Sequence, residues 1–431
     1  MAGLFEIGKS GLNSYREALS VTGQNIANIN TDGYKRREAS LEEVKGATGG
    51  ITEISSQVGL GVRVDGIRRS FDEFLLNKAR NARSDYENSQ NFLTYISDLE
   101  NTLLPGDANI SNAIGSFLSS FHEVASNPTD NGPRIITMHN AEYVAEIFHN
   151  TVGMTEELMD GLMTQTEQAI SELNNLTFSL AKINRDLISA SSNAQNALMD
   201  NRDAVLDKIS DYVGITTVLE NNGIATVSLG DTGNGPVLVK ANKSNRLSAE
   251  TGDNNINFFT SNGSTQSLTT QVNSGRLGGI NDAYYTMSNT ISELDGLAFK
   301  LIQEVNAVHK DGIDLEGITG KEFFTNVNFN VIPSGSNLGF SDAEIEITDY
   351  DILSSSQITL TYSEDNALWT AKNKSGQTLA SGRENISLSG MQVTINGTAE
   401  DGDQIMVTPA EGAASSQRRT LHWHGAAVTL R

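Results

Sequence analysis

Apolar residues spaced alternately three and four positions apart constrain this chain more than any other feature of its sequence. One such row lies near the N terminus: Phe5, Gly8, Leu12, Tyr15, Leu19, Thr22, Ile26 and Ile29. This spacing is typical of the narrow seam of a coiled coil rather than the broader stripe of a surface helix. A helix with so narrow a seam is not stable alone in water. Residues 5–29 are therefore predicted to form a helix that needs a partner, and we expect them to be disordered in a monomer.

The same spacing recurs in two later segments. The first holds Leu173, Leu176, Leu180, Ile183 and Leu187, and the second holds Met287, Ile291, Leu294, Ala298, Leu301, Val305 and Val308. Residues 134–213 contain no proline, which favours two long antiparallel helices. Shorter helical patterns cover 71–104, which ends at Pro105-Gly106, and 110–125. We predict a long helical bundle over 71–213, to which a helix in 282–325 returns.

Between the helical segments, short alternating runs separated by Gly, Asn and Asp predict β-structure. They lie in 41–70, where "GLGVRVDGI" alternates, in 214–281 and in 326–410, which is long enough for one small sandwich or barrel. The predicted fold class is mixed α and β and multidomain: an antiparallel helical bundle, β-rich lobes that project from it, and an N-terminal coiled-coil-type helix in 1–40. A length of 431 residues suggests two to four domains, and 411–431 form an atypical tail.

Composition excludes several classes of function. The absence of cysteine excludes disulfides, thiolate metal sites and cysteine nucleophiles. Residues 1–83 carry a net charge of +2 and residues 84–431 a net charge of −25, which argues against nucleic-acid binding. Neither a signal peptide nor an apolar membrane span is predicted. A hydrophobic content of 38% and an aromatic content of 6% favour an elongated protein with thin cores.

Residues with catalytic or metal-binding chemistry form no convincing pattern. His422 and His424 would share one face of a strand, but two ligands without a third are weak support for a metal site. "DGIDLEG" at 311–317 lacks the spacing of a calcium loop and is interpreted as a turn, and the glycines of "GLGVRVDG" flank a strand rather than a phosphate. The sequence therefore predicts no enzyme, no cofactor and no metal.

The N-terminal row ends in "QNIANINTDGYKRR", where Asn28, Asn30 and Gly33 favour a helix stop. Residues 10–36 resemble the N-terminal signature of bacterial flagellar axial proteins, with an Asn-x-Asn-Thr-x-Gly-Tyr core at 28–34. The resemblance implies that a motif forms a hinge between a tube-lining helix and the next layer. Its candidate residues are Asn25, Asn28, Asn30, Thr31, Gly33 and Tyr34. Lys35, Arg36 and Arg37 are expected to meet the acidic bundle of a neighbouring subunit.

Later segments single out one axial family. "LMDNRDAVLDKISDYVGI" at 198–215, "ELDGLAFKLIQEVNAVHKDGIDLEG" at 293–317, the Phe pair at 323–324 and "GMQVTINGTAEDGDQIMVTP" at 390–409 resemble the first hook-associated protein family. The resemblance spans residues 1 to about 412. It implies a structural protein that forms a ring at the hook–filament junction and lies outside the cell. It also implies export through the flagellar type III apparatus without a cleavable signal.

The partners that the resemblance implies are other copies of the chain, the hook protein, the second hook–filament junction protein and an export chaperone. In the family the terminal helix pairs with a C-terminal helix. The assembly interface is accordingly expected at Leu12, Tyr15, Leu19, Ile26 and Ile29.

The tail departs from the family pattern. "AASSQRRTLHWHGAAVTLR" has no heptad and is basic, where the family continues to a C-terminal helix. We expect a truncation, a frameshift or an edited sequence, and we expect that the chain cannot form a normal junction ring. Because the family's chaperone recognises the C-terminal region, chaperone binding is in doubt.

Three alternative functions stay open on the sequence. A hook or distal-rod protein would share the N-terminal signature, although the length of 71–213 weighs against it. A wall hydrolase carried on an axial protein would need a catalytic acid in a cleft, and 326–409 shows none. An adhesive axial protein would use the β-rich lobe.

Overall fold

The structure is a computed structural model that describes residues 4–31, 33–44, 61–190, 192–252, 254–261, 267–325, 329–349, 357–373, 376–388 and 390–409. It is 52% helical and 25% strand, so the predicted mixed α and β class is confirmed. The His422 and His424 pair and the whole tail from 411 lie outside the described residues.

Six α-helices lie in the described parts of the chain: α1 (Leu4–Ala27), α2 (Glu73–Leu103), α3 (Ile110–Ser126), α4 (Asn131–Ser189), α5 (Ser192–Tyr212) and α6 (Gly275–Asp311). Helix α4 is 59 residues long. This length follows from the absence of proline after Pro133, which occupies the first turn where its missing N–H is tolerated. The helix predicted within 282–325 begins earlier, at Gly275. A φ of +71° at this glycine turns the chain into α6 close against the backbone of Tyr212, a conformation that glycine adopts without strain.

The chain divides into two compact units, and the first comprises Met1–Asn91, Thr166–Ala249 and Phe258–Gly279. It contains an antiparallel hairpin of β1 (Arg37–Glu43) and β2 (Val62–Arg69). It also contains a meander of β3 (Ile215–Leu219), β4 (Ala225–Leu229), β5 (Val237–Lys240) and β6 (Lys243–Ser244). Two further strands, β7 (Leu247–Thr251) and β8 (Ile256–Thr260), precede α6.

Asparagine side chains attach α4 to the strands of the first unit. The amide of the buried Asn184 donates to the carbonyl of Ala225 at 2.8 Å and accepts from its N–H at 3.0 Å. Asn174 pairs in the same way with the N–H and C=O of Leu247, each at 2.9 Å. A helical asparagine thus substitutes for a neighbouring strand, which satisfies backbone groups that would otherwise be buried without a partner.

The second unit comprises Phe92–Gln165, Glu250–Asn257 and Ile280–Arg431. One core cluster joins α3, the first half of α4 and α6, and its centre is formed by Phe117, Phe148, Phe299 and Phe324. Asn306 holds the chain that follows α6, because its carbonyl oxygen accepts from the N–H groups of Phe323 and Phe324 at 2.8 and 2.7 Å.

A β-domain completes the described part of the second unit. Its strands are β9 (Phe329–Pro333), β10 (Phe340–Ile347), β11 (Ile358–Ser363), β12 (Leu368–Asn373), β13 (Thr378–Gly382), β14 (Asn385–Leu388), β15 (Met391–Thr398) and β16 (Gln404–Pro409). They form an antiparallel sheet of order β13-β12-β11-β16-β9 and another of order β10-β15-β14. Alternating residues such as Leu360, Trp369, Val393 and Ile405 are fully buried in one core.

Candidate assembly interface on the N-terminal helix

One face of α1 and of the turn that follows it carries large apolar side chains, and this face is exposed. The exposed set comprises Phe5, Leu12, Tyr15, Leu19, Ile26 and Ile29, which includes all five residues predicted for the assembly interface. Leu12 is 73% exposed, Leu19 72% and Ile29 78%. Large apolar side chains left in a row on one helix face mark a surface that binds another molecule.

The opposite face of α1 follows a second row with steps of four and three residues: Ile7, Gly11, Ser14, Ala18, Val21, Asn25 and Asn28. All seven are buried or half-buried, and Ser14 and Val21 are only 4% and 3% exposed. The expectation that α1 lacks a covering segment of its own chain is wrong for this face, and the packing of the hairpin on it argues against the expected disorder of residues 5–29 in a monomer. The small residues of the row let the β1–β2 hairpin lie directly on the helix.

Serine side chains join α1 to the start of β2. The Ser14 hydroxyl donates to the carbonyl of Val62 at 3.0 Å, and the N–H of Val62 donates to the Ser10 hydroxyl at 3.3 Å. Gly61 comes so close to the helix that a Cβ there would collide with the Ser10 hydroxyl, and its φ is +111°. Such a φ also requires glycine. The backbone of the hairpin at Gly61 therefore lies directly against α1.

Asn25 connects the helix to the first residue of β1. Its amide nitrogen donates to the carbonyl of Arg37 at 2.8 Å, and its oxygen accepts from the N–H of Arg37 at 2.9 Å. The Tyr34 hydroxyl donates to the same oxygen at 2.9 Å, and the Arg37 guanidinium lies 5.0 Å from the centre of the Tyr34 ring. This geometry fixes the direction of β1 relative to α1, because three hydrogen bonds converge on one half-buried side chain.

The other motif residues build the turn between helix and strand. The Asn28 amide donates to the carbonyl of Gln24 at 2.9 Å, and the Thr31 hydroxyl donates to the Asn28 oxygen at 3.2 Å. Gly33 has a φ of +76° and Asn30 is exposed. The left-handed conformation of Gly33 is one that favours glycine. The helix ends at Ala27, close to the stop that Asn28 and Asn30 predicted.

A row of four aspartates on α5 was not predicted from the sequence. They are Asp200, Asp203, Asp207 and Asp211, and they pair with arginines from β1, β2 and α2. Arg80 binds Asp207 at 2.7 Å, and Arg83 binds Asp211, which raises the pKa of Arg83 through a side-chain hydrogen bond. The signal was present in "LMDNRDAVLDKISDY", where acids recur every three or four residues on one helix face.

The first two aspartates of this row bind the open end of the hairpin. Asp200 Oδ2 lies 2.9 Å from Arg37 Nη2, and Asp200 Oδ1 lies 2.9 Å from Arg69 Nε. Asp203 Oδ2 lies 2.5 Å from Arg69 Nη2. The expectation that Arg37 meets an acidic residue of a neighbouring subunit is therefore wrong, because its partner belongs to the same chain.

Buried charge continues beside the hairpin contacts. Arg202 is buried and binds Asp203 Oδ1 through Nη2 at 2.6 Å, and it also donates to the carbonyl of Gly223. Burial lowers the pKa of Arg202, although the carboxylate of Asp203 opposes this shift. Such a guanidinium needs all of its partners, because removing one partner of a buried ion pair costs several kcal/mol.

The segments considered for metal or cofactor chemistry show structural roles where they are described. In 311–317, Asp314 Oδ1 accepts the N–H groups of Glu316 and Ile318 at 2.9 and 2.8 Å, so its carboxylate closes a turn. The described residues contain no group of three or more His, Asp or Glu side chains that could hold a metal ion. None of the helices in the same ranges is both long and apolar enough to cross a membrane.

Comparison with known proteins agrees with this geometry. Residues 5–35, which hold the exposed row and the turn, match the family model of the flagella basal body rod protein. This match is confined to the N-terminal segment of the chain. Residues 96–324 match the model of the flagellar hook-associated protein FlgK helical domain, which is more than half of the chain. The chain belongs to the FlgK family, as the resemblance predicted.

Individual relatives extend over most of the chain. Flagellar hook-associated protein 1 of Salmonella typhimurium strain LT2 is 24% identical over 437 residues, which cover 96% of this chain and 76% of the relative. The protein of the same name from Escherichia coli K12 is 23% identical and covers 96% and 77%. The solved flagellar hook junction protein FlgK from Burkholderia pseudomallei shares the fold, with a TM-score of 0.60 and 23% identity. That match covers 79% of this chain, and the chain spans 63% of the solved one.

Proposed function

We propose that this chain is a structural component of the bacterial flagellum that forms part of the junction between hook and filament. Membership of the FlgK family supports the class, and the exposed apolar row on α1 is the observation that carries the mechanism. The row lies opposite a face that the hairpin already covers, so a neighbouring molecule can bind it without unfolding the chain. Exposed leucines release about 1.5–3 kcal/mol each when they become buried.

The partners follow from this placement. The proposed function departs from the expectation, drawn from the tail, that no normal junction ring forms: other copies of the chain pack their terminal helices together into a ring. The hook protein would lie on one side of the ring and the second junction protein on the other. The long helices would form an antiparallel bundle as the next layer, with β-rich lobes projecting from it. The protein would act outside the cell after export without a cleavable signal.

The motif residues have a positioning role in this proposal. Asn25, Asn28, Thr31, Gly33 and Tyr34 hold the turn that sets the angle between α1 and the hairpin. A ring requires every subunit to present its helix at the same angle, and a turn held by several hydrogen bonds meets that requirement. The hook or distal-rod alternative is less well supported, because the FlgK helical-domain model matches 96–324.

The test places charge on the exposed row. We expect Leu12→Glu with Leu19→Glu to abolish filament growth in the source bacterium, since two carboxylates would have to be buried without partners. The matched control is Asn13→Glu with Ser20→Glu, which adds the same charge at exposed polar positions of the same helix. Motility and electron microscopy of hook ends measure assembly, and the amount of secreted protein checks export. Normal filaments with the row variant would disprove the assembly role of α1.

A further inference from the structure

The open end of the β1–β2 hairpin brings two positive charges together. Arg37, the first residue of β1, is the direct register partner of Arg69, the last residue of β2. Like charges directly opposite each other in an antiparallel pair are destabilising. Taken alone, the hairpin would therefore favour separation of its strands at this end.

A single carboxylate on α5 lies between these two arginines. Asp200 Oδ2 accepts a hydrogen bond from Arg37 Nη2 at 2.9 Å, whereas Asp200 Oδ1 forms only an ion pair with Arg69 Nε at 2.9 Å, without hydrogen-bond geometry. Asp200 is only 8% exposed. Within the described residues Asp200 forms ion pairs with these two arginines alone, whereas Asp203 is shared among Arg69, Arg80 and Arg202. Asp200 is thus dedicated to the end of the hairpin.

Apolar burial contributes little to the attachment of the hairpin to α5. None of the described residues of β1 and β2 is fully buried, and a second contact is a hydrogen bond from the Asn196 amide to the carbonyl of Ile67 at 2.9 Å. Polar contacts of this kind give orientation rather than bulk stability, because they form only in one geometry. The direction of the hairpin on α5 therefore depends on these polar contacts, and among them the Asp200 bridge is the one that reaches Arg37 of β1.

The bridge is connected to α1 through one residue. Arg37 gives its side chain to Asp200 and its backbone N–H and C=O to Asn25. A shift of the hairpin end would consequently move the backbone that holds the last turn of α1.

We propose that Asp200 is the positioning residue of the N-terminal helix. Its carboxylate permits the hairpin to close only when the hairpin is docked on α5, so closure and docking occur together and fix the direction of α1. The consequence for ring assembly rests on the proposed function, whereas the coupling of closure to docking is a property of the single chain.

The chain allows a direct measurement of this direction because it contains no cysteine. Spin labels on Glu17→Cys of α1 and Lys208→Cys of α5, both at exposed positions, report the distance between the two helices. We expect one narrow distance in the otherwise unchanged chain. We expect Asp200→Asn to lose this narrow distance, since Arg37 then loses the only carboxylate that pairs with it in the described residues, while Arg69 keeps Asp203.

The matched control is Asp211→Asn. Asp211 belongs to the same row on α5 but pairs with Arg83 of α2 and does not contact the hairpin. It should leave the labelled distance narrow. Asp200→Glu should recover the narrow distance at least in part, because it restores the charge. Amide exchange of the hairpin should accelerate about tenfold or more in Asp200→Asn only.

Unchanged distances in Asp200→Asn would overturn the proposal. If that variant does not fold, Arg37→Gln removes the other half of the same bridge without leaving an unpaired guanidinium, and an unchanged distance there would overturn the proposal equally. The assembly arm is read separately: Asp200→Asn should reduce filament number at unchanged secretion. A lost narrow distance with normal filaments would retain the bridge and remove the proposed role of α1 in assembly.

Discussion

The N-terminal module, defined as α1 with the β1–β2 hairpin, and the β-domain of residues 329–409 are both small and both contain antiparallel strands, yet they are held together differently. The β-domain buries its large side chains, among them Leu360, Trp369 and Ile405, in one core. The module buries small residues such as Ser14 and leaves Leu12 and Leu19 exposed. Its internal contacts are mainly hydrogen bonds from Ser and Asn side chains to strand backbone.

This difference indicates what each region requires. The β-domain has a core of its own, although Phe340 and Leu338 stay exposed on it, so its fold does not depend on a neighbour. In the module, side chains hydrogen-bond the strand backbone, whereas the apolar row of α1 is not buried. The orientation of α1 is therefore fixed, while its largest side chains can still bind a neighbouring molecule. A surface of this kind suits assembly after export, because the helix can be positioned before its partner arrives.

Truncating one large apolar side chain in each region is the strongest test of the difference between the β-domain and the module. We expect Leu360→Ala, at a fully buried position, to lower the unfolding free energy of the β-domain by about 2–5 kcal/mol. Leu19→Ala, at an exposed position of the module, should change the stability of α1 by no more than about 0.5 kcal/mol. Trp369 fluorescence in a Trp423→Phe background follows the β-domain during denaturation, and amide exchange follows α1.

A large cost for Leu19→Ala would show that α1 is already covered in the isolated chain. The exposed row would then be part of an internal core, and the contrast between the two regions would disappear.

Asp403 gives the β-domain an acid-sensitive anchor. Burial alone would raise the pKa of Asp403, but the backbone N–H groups of Glu400, Leu338 and Gly339 outweigh it and hold this pKa below its usual value. The carboxylate therefore stabilises the fold fully above its unfolded pKa of about 3.9, and this contribution is lost as the pH falls through the lower folded pKa.

Replacing the Asp403 carboxylate tests how much the β-domain depends on a buried charge of its own. Asp403→Asn should cost about 1.5–3 kcal/mol near neutral pH, because its amide NH2 would face backbone donors. The difference between the two proteins should shrink as the pH falls below about 4. Trp369 fluorescence during urea denaturation at a series of pH values measures it. A difference that stays constant with pH would mean that the ionised carboxylate is not what stabilises this loop.

Much of the fold could be predicted from the spacing of apolar residues. The helices expected over 71–104 and 110–125 are observed as α2 and α3, because Pro105-Gly106 and the turn at 127–133 are strong local signals. The start of α6 at Gly275 was missed, since an αL glycine that turns the chain into a helix depends on the tertiary approach to Tyr212. The grouping of segments into domains stays a prediction.

Of the two faces of α1, only the exposed one could be predicted from the sequence. Large residues such as Leu12 and Leu19 stand out in a sequence, whereas Gly11, Ser14 and Ala18 look like spacers. The second row could have been found by asking which positions remain at steps of four and three after the apolar row is removed. The contact between Arg37 and Asp200 could not have been predicted from the sequence, because 163 residues separate the two and charged pairs at that separation have no sequence period.

Asn25 tests whether side-chain hydrogen bonds really replace a core in the module. Asn25→Ala removes three hydrogen bonds at a half-buried position. We expect a loss of roughly 1 kcal/mol or somewhat more in the local stability of α1 and β1, since water can satisfy part of what is left. Tyr34→Phe removes only one of the three and should cost less. Amide exchange of α1 measures both. Equal costs for the two variants would mean that the hydrogen bond from the Tyr34 hydroxyl, rather than the two bonds to the Arg37 backbone, determines the turn.

The smallest effect is expected on the outer face of the hairpin. Arg63 and Glu42 are register partners at 3.3 Å, but the Arg63 side chain is 63% exposed. Arg63→Ala should therefore cost about 0–1 kcal/mol, and that cost should fall further at high salt. Amide exchange of the hairpin at low and high salt measures it. A cost well above about 1 kcal/mol would mean that the exposed Arg63–Glu42 pair stabilises this hairpin more than surface ion pairs usually do. A small cost beside a large effect of Asp200→Asn would instead attribute the stability to burial of the bridge on α5.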